Sequence, residues 1–504
     1  MRTWLTLLVL AYPLIVTAAP ASERNIVLFV TDDESLTLGC YGDPVAKTPI
    51  IDALASDGTR FNNAFATTAS CSASRSVILT GLHNHTNGQY GHQHHFHKFA
   101  CYHNCIELSL PYVLSNNGYR TARIGKFHVA PEKVFPFDAK IIANARNPVL
   151  MADACKSWIA KDERPFFLYF CTSDPHRSGA VNRRSDSEFK PNLFGNKPNQ
   201  GTHFEVNEVF YDPSNVPVPR FLPDTPETRE ELAQYYQSVS RIDQGLGQLI
   251  KILKEAGQYE KTLIVFTSDH GMAFAGAKTT VYEPGLRVPM VVRNPYNQNR
   301  GIVSDALISH IDITPSLVDF AKCLDEKRNR PKTWKDPDRF WRDRNEDVKD
   351  NRSGGNQFRE FQGKSWLSLL GNSKAEHNER VFASHTFHEI QMYYPMRVIR
   401  DKRYKLIWNI AHKLEFPFAS DLWDASSWQA QYQKGARANY GKKTVSQYLN
   451  RAEFELFDMV NDPNETTNLA LESGYLDVLE EYKQKLREMQ MELSDPWIRK
   501  WDHE

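Results

Sequence analysis

No charge of one sign dominates this chain: Lys plus Arg and Asp plus Glu each number 61 in 504 residues, for a formal net charge of +0. There is thus no basic field to hold nucleic acid and no acidic tail, so any anionic partner must be met locally. Cysteine is scarce, with 7 residues, too few to build a disulfide scaffold at this length. Long apolar runs are nearly missing. The one present, Leu5 to Val16, follows Arg2 and ends in Thr17-Ala18-Ala19. A charged start, a short greasy middle and a small-residue exit make a secretory signal, so residues 1–19 are read as a leader cut after Ala19 or Ala21. No other segment reaches the roughly 18 apolar residues of a membrane span. The mature chain is therefore expected to travel the secretory pathway, to a lysosome in a eukaryote or to the periplasm or outside in a bacterium, with no membrane partner. What remains is ordinary: 41% hydrophobic and 24% charged residues exclude a disordered, collagenous or fibrous protein.

Short apolar runs ending in polar, chemically active residues alternate with helical patterns. Asn25 to Thr31 runs into Asp32-Asp33, Thr262 to Ser268 into Asp269-His270, and Phe166 to Phe170 leads to Asp174-Pro175-His176. Continuous Val/Ile/Leu/Phe runs suit strands buried on both faces, which predicts an α/β fold with a large, mainly parallel sheet flanked by helices. Helices are expected over Pro49 to Ser56, Leu108 to Asn116 and Arg229 to Glu255. In such sheets ligands bind at the carboxyl ends of the strands, and three strands deliver polar groups to one edge. A catalytic domain is read over 22–370, interrupted at 332–355 by a charged, aperiodic insertion or linker. Strand-like runs between Arg380 and Leu406 and helical spacing from Tyr475 to Met491 predict a smaller C-terminal α+β subdomain over 375–504.

Several residues in this frame carry chemistry. Cys71-Ser-Ala-Ser-Arg75 places a cysteine at a helix start, where free N–H groups and the dipole favour anions, with Arg75 one turn along to fork onto an oxyanion. Alone it reads first as a packed or bridged cysteine. Gly118 to His128 reads as helix end, strand and a loop presenting Lys126 and His128. The pair Asp32-Asp33 needs a cation nearby, and with Asp269 the oxygen donors suit Ca²⁺ or Mg²⁺ more than zinc, His270 adding one nitrogen. Either aspartate also serves as a helix cap.

Taken together, C-S-A-S-R at 71–75, G-Y-R-T-A-R-I-G-K-F-H at 118–128, the early aspartate pair and T-S-D-H-G at 267–271 follow the order and spacing of the sulfatases of the alkaline-phosphatase-like superfamily. The resemblance runs on through Glu455-Leu-Phe-Asp458, Asp462-Pro-Asn-Glu465 and Asn468-Leu-Ala470, and so covers nearly the whole mature chain. Ala64-Phe65, Thr80-Gly-Leu82, Asp174-Pro-His-Arg177 and Tyr394-Pro-Met-Arg397 resemble a subgroup acting on the N-sulfate of nonreducing-end glucosamine in heparan-type glycans. O-sulfatase activity on a sulfated saccharide is the rival reading, ahead of phosphate-ester hydrolysis or non-catalytic glycan binding. The resemblance implies that Cys71 becomes formylglycine, made by a formylglycine-generating enzyme, which also accounts for the odd cysteine. One hydroxyl of the hydrated aldehyde attacks sulfur and the other expels the sulfate. It implies one Ca²⁺ held by Asp32, Asp33, Cys71, Asp269 and His270, with Arg75, Lys126 and Lys278 clamping charge. His128 would work on the formylglycine hydroxyls and His176 would protonate the departing atom, roles that can be exchanged. The chain departs from the family's usual pattern at Ala73, where Pro is common, at His270, where Asn is common, and at Lys278, where the subgroup has Arg.

Seven of the 17 histidines fall between His83 and His103. They are read as a polar loop lining the pocket rather than a zinc cluster with Cys101 and Cys105, because the spacing fits no standard zinc pattern. Within it His85 is the candidate for touching the sugar. His388, Glu389 and Arg397 are candidates for reading the glycan from the C-terminal side, with a buried ion pair the other reading of Arg397. Cys101 and Cys105 have the spacing of a small disulfide loop, of free thiols or of metal ligands. Sequons stand at Asn84, Asn351 and Asn464, the last two in polar stretches suited to surface glycans. A homodimer is compatible with this reading.

Overall fold

A computed structural model describes residues 24–178, 194–197, 202–333 and 360–503; the leader, most of the charged 332–355 segment and the sequon at Asn351 lie outside the described residues. Eight strands form the main sheet: β1 (Asn25–Thr31), β2 (Thr59–Phe65), β3 (Arg120–Gly125), β4 (Ala139–Ile141), β5 (Phe166–Cys171), β6 (Thr262–Ser268), β7 (Met290–Arg293) and β8 (Ile302–Ser309). Their order is β4-β3-β5-β1-β6-β7-β2-β8, parallel except where β7 runs against β6 and β2. Every residue of β1, β5 and β6 is buried, so alternate side chains feed two cores. Val27 and Phe29 face one layer, and Ile26, Leu28 and Val30 face the other. Phe29 sits in register with Phe170 and Phe266, and its ring lies 4.6 Å and 5.6 Å from theirs.

Helices cover both faces. The expected helix at Pro49 is α1 (Pro49–Ser56), started by a proline whose missing N–H costs nothing there. The long helix begins at Pro226 rather than Arg229 and runs to Glu255, because Thr225 caps it by accepting from the Thr228 N–H and Pro226 occupies the first position. Its buried stripe of Leu232, Tyr235, Tyr236, Val239, Ile242, Leu246, Leu249 and Leu253 faces the sheet at helical spacing. The segment expected to be helical from Leu108 divides into a 3-10 turn (His103–Leu108) and a helix (Leu110–Ser115), since Pro111 favours a fresh helix start.

Two short ribbons follow, β9 (Leu324–Asp325) with β10 (Arg330–Pro331) and, later, β14 (Asn439–Tyr440) with β15 (Lys443–Thr444). A second, antiparallel sheet is built from β11 (Val381–His385), β12 (Met396–Arg400), β13 (Tyr404–Asn409) and β16 (Phe454–Asp458) in that order. The helix Leu476–Glu492 packs on it through Leu479, Tyr482 and Leu486, against Phe382, Ile399, Leu406 and Leu456. Hydrogen bonding joins the two units: the Ser384 N–H donates to the Thr67 carbonyl at 2.8 Å, and Arg400 and Lys405 both bind Glu283, at 3.0 and 3.2 Å. All seven cysteines are free thiols, Cys101 and Cys105 included. Asn84 is fully buried and accepts from the Ser384 hydroxyl at 2.9 Å, whereas Asn464 is exposed.

Candidate active site

The carboxyl ends of β1, β3, β5 and β6 lie along one edge of the sheet, and the helix after β2 joins them there. That helix, α2 (Cys71–Thr80), is wholly buried, and Cys71 is its first residue. Its N-cap, Ser70, makes no side-chain cap; its hydroxyl instead meets His388 Nδ1 at 3.0 Å. Gly81 closes the helix with φ 65, a left-handed turn that glycine adopts without strain.

Asp33, Cys71, Asp269 and His270 converge, each offering a ligand atom within 4.8 Å of the others. Cys71 Sγ lies 3.3 Å from His270 Nε2 and 3.7 Å from Asp33 Oδ1, and His270 Nε2 is 3.1 Å from Asp33 Oδ1. Asp269 Oδ1 accepts the backbone N–H of Asp33 and of His270, at 3.0 and 2.9 Å, which locks the two loops together. Asp32, the other expected ligand, lies outside that grouping of four. Its carboxylate is held by Arg75 Nη2 at 3.2 Å and Lys126 Nζ at 2.5 Å. Asp33 has φ 67, so the chain turns sharply after β1. Asp33, His128 and Thr279 all hold left-handed φ values of 58 to 67, strain that is tolerated where packing fixes a working geometry.

Cations surround the aspartates. Arg75 bridges Asp32 and Asp269 and donates to the Thr31 and Lys126 carbonyls. Lys278 Nζ donates to Asp33 Oδ2 at 3.0 Å, to Asp421 Oδ2 at 2.8 Å and to His176 Nε2 at 2.9 Å. Burial works against the charge of Asp32, yet Lys126, His176 and Arg75 more than offset it and hold its pKa well below the usual range. Lys278 is likewise buried, but Asp33 and Asp421 keep it firmly protonated. Burial, then the Lys278 charge, lowers His176 to about 4. His176 Nδ1 faces the Arg177 carbonyl at 2.5 Å, an acceptor only, so Nδ1 carries the hydrogen and Nε2 presents its lone pair to the Lys278 ammonium. Lys278 and His176 are therefore a hydrogen-bonded pair, the ammonium donating to the imidazole. Burial raises the Cys71 thiol well above its ordinary value, so an unmodified Cys71 is a poor thiolate nucleophile here.

The remaining predicted residues fall into two groups. His128 meets His94, Nε2 to Nδ1 at 2.7 Å, and His388 meets His92, Nε2 to Nε2 at 2.8 Å, which places both near the nucleophile helix. Three others do not line the carboxylate cluster. His85 is buried, stacks on His83 at 5.4 Å and faces the Leu493 carbonyl at 3.3 Å. Arg397 is 0% exposed and grips Asp495 with a two-pronged fork at 2.5 and 2.9 Å. Glu389 accepts from the Ser420 hydroxyl at 2.9 Å, near the turn carrying Asp421. Sequence reasoning missed Asp421, His92 and His94 as individual site members. Asp421 lies in the short helix Ser420–Trp423 with no local signature, and only packing brings it to Lys278.

A buried sulfur at a helix start, a carboxylate cluster and a ring of cations define a site for hydrolysing tetrahedral anionic esters. The sulfatase family profile matches residues 24–323, and the chain belongs to the sulfatase family. It is 34% identical over 493 residues to human N-sulphoglucosamine sulphohydrolase, spanning 95% of this chain and 92% of that protein. It is 27% identical to an ulvan-active sulfatase of Formosa agariphila, over 92% of this chain and 79% of the relative. Among solved structures, one in complex with its substrate D-glucosamine-2-N,6-O-disulfate aligns over 94% of this chain and 98% of its own, with TM-score 0.63 and 19% identity. The phosphonate monoester hydrolase of Agrobacterium radiobacter aligns over 93% and 96%, with TM-score 0.62 and 18% identity. These two structures share the fold, and no helix among the described residues is long and apolar enough to cross a membrane.

Proposed function

We propose that the protein hydrolyses the sulfamate of a nonreducing-end N-sulfoglucosamine in heparan-type glycans, with Cys71 converted to formylglycine and one Ca²⁺ bound. The observation that carries this reading is the near full-length similarity to human N-sulphoglucosamine sulphohydrolase. In the structure the Cys71 sulfur stands where the reactive formylglycine oxygens would be. Because Cys71 is 0% exposed, the enzyme that oxidises it would have to meet the chain before α2 is packed.

The donor set fits a hard divalent cation. Asp33 and Asp269 are fully buried carboxylates, and burial pushes Asp269 up despite Arg75 beside it. Asp32, Asp33, Asp269, His270 and the residue at 71 would hold Ca²⁺, with Arg75 and Lys126 keeping Asp32 in place. Bound there, the ion would draw charge from a sulfate oxygen and the formylglycine hydrate would accept and release the sulfuryl group. Arg75, Lys126 and Lys278 neutralise the anion as it enters. A sugar amine leaves poorly unless it is protonated, and that proton transfer is assigned to the Lys278–His176 pair, whose Nζ and Nε2 lie 2.9 Å apart. Asp421 keeps Lys278 charged and aimed, a positioning role.

O-sulfatase action is the second reading, favoured by the similarity to the ulvan-active sulfatase. The test is sulfate release by protein coexpressed with a formylglycine-generating enzyme, comparing N-sulfoglucosamine with 6-O- and 2-O-sulfated saccharides. Release from the N-sulfate is expected; turnover of the O-sulfated compounds alone would refute the assignment. A secretory route is part of the same proposal.

A further inference from the structure

Three histidines from two loops converge beside α2 without being part of the carboxylate cluster. The His92, His94 and His128 rings stand 4.7, 4.9 and 4.8 Å apart, pair by pair. One nitrogen from each lies within 4.8 Å of the other two. The contact between His94 Nδ1 and His128 Nε2 is 2.7 Å, and the far nitrogen of His128 is buried with no hydrogen-bond partner. His92 Nδ1 faces the Ser72 hydroxyl at 3.4 Å and its Nε2 meets His388, a contact that an ion bound at Nε2 displaces. His388 backs that Nε2 at 2.8 Å, its own Nδ1 tied to Ser70. The Ser72 contact orients the His92 ring as the outer hydrogen bond of a metal-ligating histidine does.

We propose that His92, His94 and His128 form a second metal site, for a borderline divalent transition ion such as Zn²⁺, with the fourth position open to water or an anion. Three imidazoles and no carboxylate suit Zn²⁺ and repel the hard-cation preference of Ca²⁺. Zn–N bonds of about 2.0–2.1 Å in a tetrahedron put the nitrogens roughly 3.3 Å apart, so the His94–His128 contact opens by about half an ångström on binding. His94 and His128 are only partly buried, which leaves the ion a way in. The site is a switch on the sulfatase chemistry, because an ion there occupies the His128 lone pair and stops turnover while the carboxylate cluster keeps its own cation. It differs from a cluster with Cys101 and Cys105, whose sulfurs instead face Gln89 Oε1 and the Asn87 carbonyl.

The test uses calcium-loaded protein and two probes, Zn²⁺ followed by titration calorimetry and Co²⁺ followed by visible absorption. One equivalent of Zn²⁺ is expected beyond the calcium, with a tetrahedral Co²⁺ spectrum. His94→Gln and His92→Gln should each weaken binding at least tenfold, while Asp269→Asn leaves it intact; the partly exposed His94 keeps the test usable if His92→Gln does not fold. Inhibition by Zn²⁺ should follow the same binding curve and be reversed by a zinc-selective chelator that spares calcium. Absence of uptake, uptake unchanged in His94→Gln, or uptake lost in Asp269→Asn would overturn the proposal. The calorimetric readout needs no turnover, so failure of the hydrolytic reading shows separately.

Discussion

Replacing Arg397 with alanine decides between a substrate-reading arginine and one that holds the C-terminal unit together. Its guanidinium is 0% exposed, as is Asp495, and the two are joined by a double hydrogen bond. The fork also donates to the Met396 carbonyl at 2.9 Å and lies 4.5 Å over the Trp497 ring. Removing one partner of a fully buried pair strands the other charge, at a cost of about 3–5 kcal/mol. Unfolding entropy near 2.1 cal/mol/K per residue gives about 1 kcal/mol per degree for 504 residues, so Tm should fall by about 3–5 °C if the chain unfolds as one unit. The pairing holds Asp495 well below its ordinary pKa despite burial, so this stability is present above the unfolded value near 3.8 and is lost as pH falls below it. The assay is calorimetric melting of Arg397→Ala, Asp495→Ala and the double variant Arg397→Met/Asp495→Leu, with KM measured in parallel. The single variants should lose stability with KM little changed, and the double variant should recover much of it. An unchanged Tm with a KM raised tenfold would refute the structural role and return Arg397 to the substrate.

Four further outcomes follow, three from the site and one from a buried histidine at the end of β11. Asp421→Asn should lower kcat by roughly ten- to a hundredfold and move its basic limb to lower pH, because Asp421 helps keep Lys278 protonated; a pH profile superimposable on the parent would show no such support. Cys71→Ala should abolish turnover while melting within a few degrees of the parent, and calcium chelation should both stop turnover and lower Tm, reversibly; normal turnover in Cys71→Ala would remove the nucleophile. Burial, with Arg451 and Arg397 beside it, lowers His385 to about 3, so its contribution is complete above the unfolded value near 6.5 and lost as pH falls towards 3. Tm should therefore drop less steeply between pH 6.5 and 4 in His385→Gln than in the parent.

The sequence by itself determined the parts of this protein whose cause is local. Apolar runs of six or seven residues fixed β1, β5 and β6, and the polar residues ending them were bound to share an edge, because parallel strands all point one way. Tertiary packing decided how those residues pair. Asp32 turned to Arg75 and Lys126 while its neighbour Asp33 turned to His270. Asp421 reached Lys278 from 143 positions away, and His388 reached His92 across 296. Arg397 met Asp495 rather than the pocket, since a guanidinium shut away from water takes the carboxylate that the folded chain brings beside it, a meeting that hydrophobic periodicity does not encode.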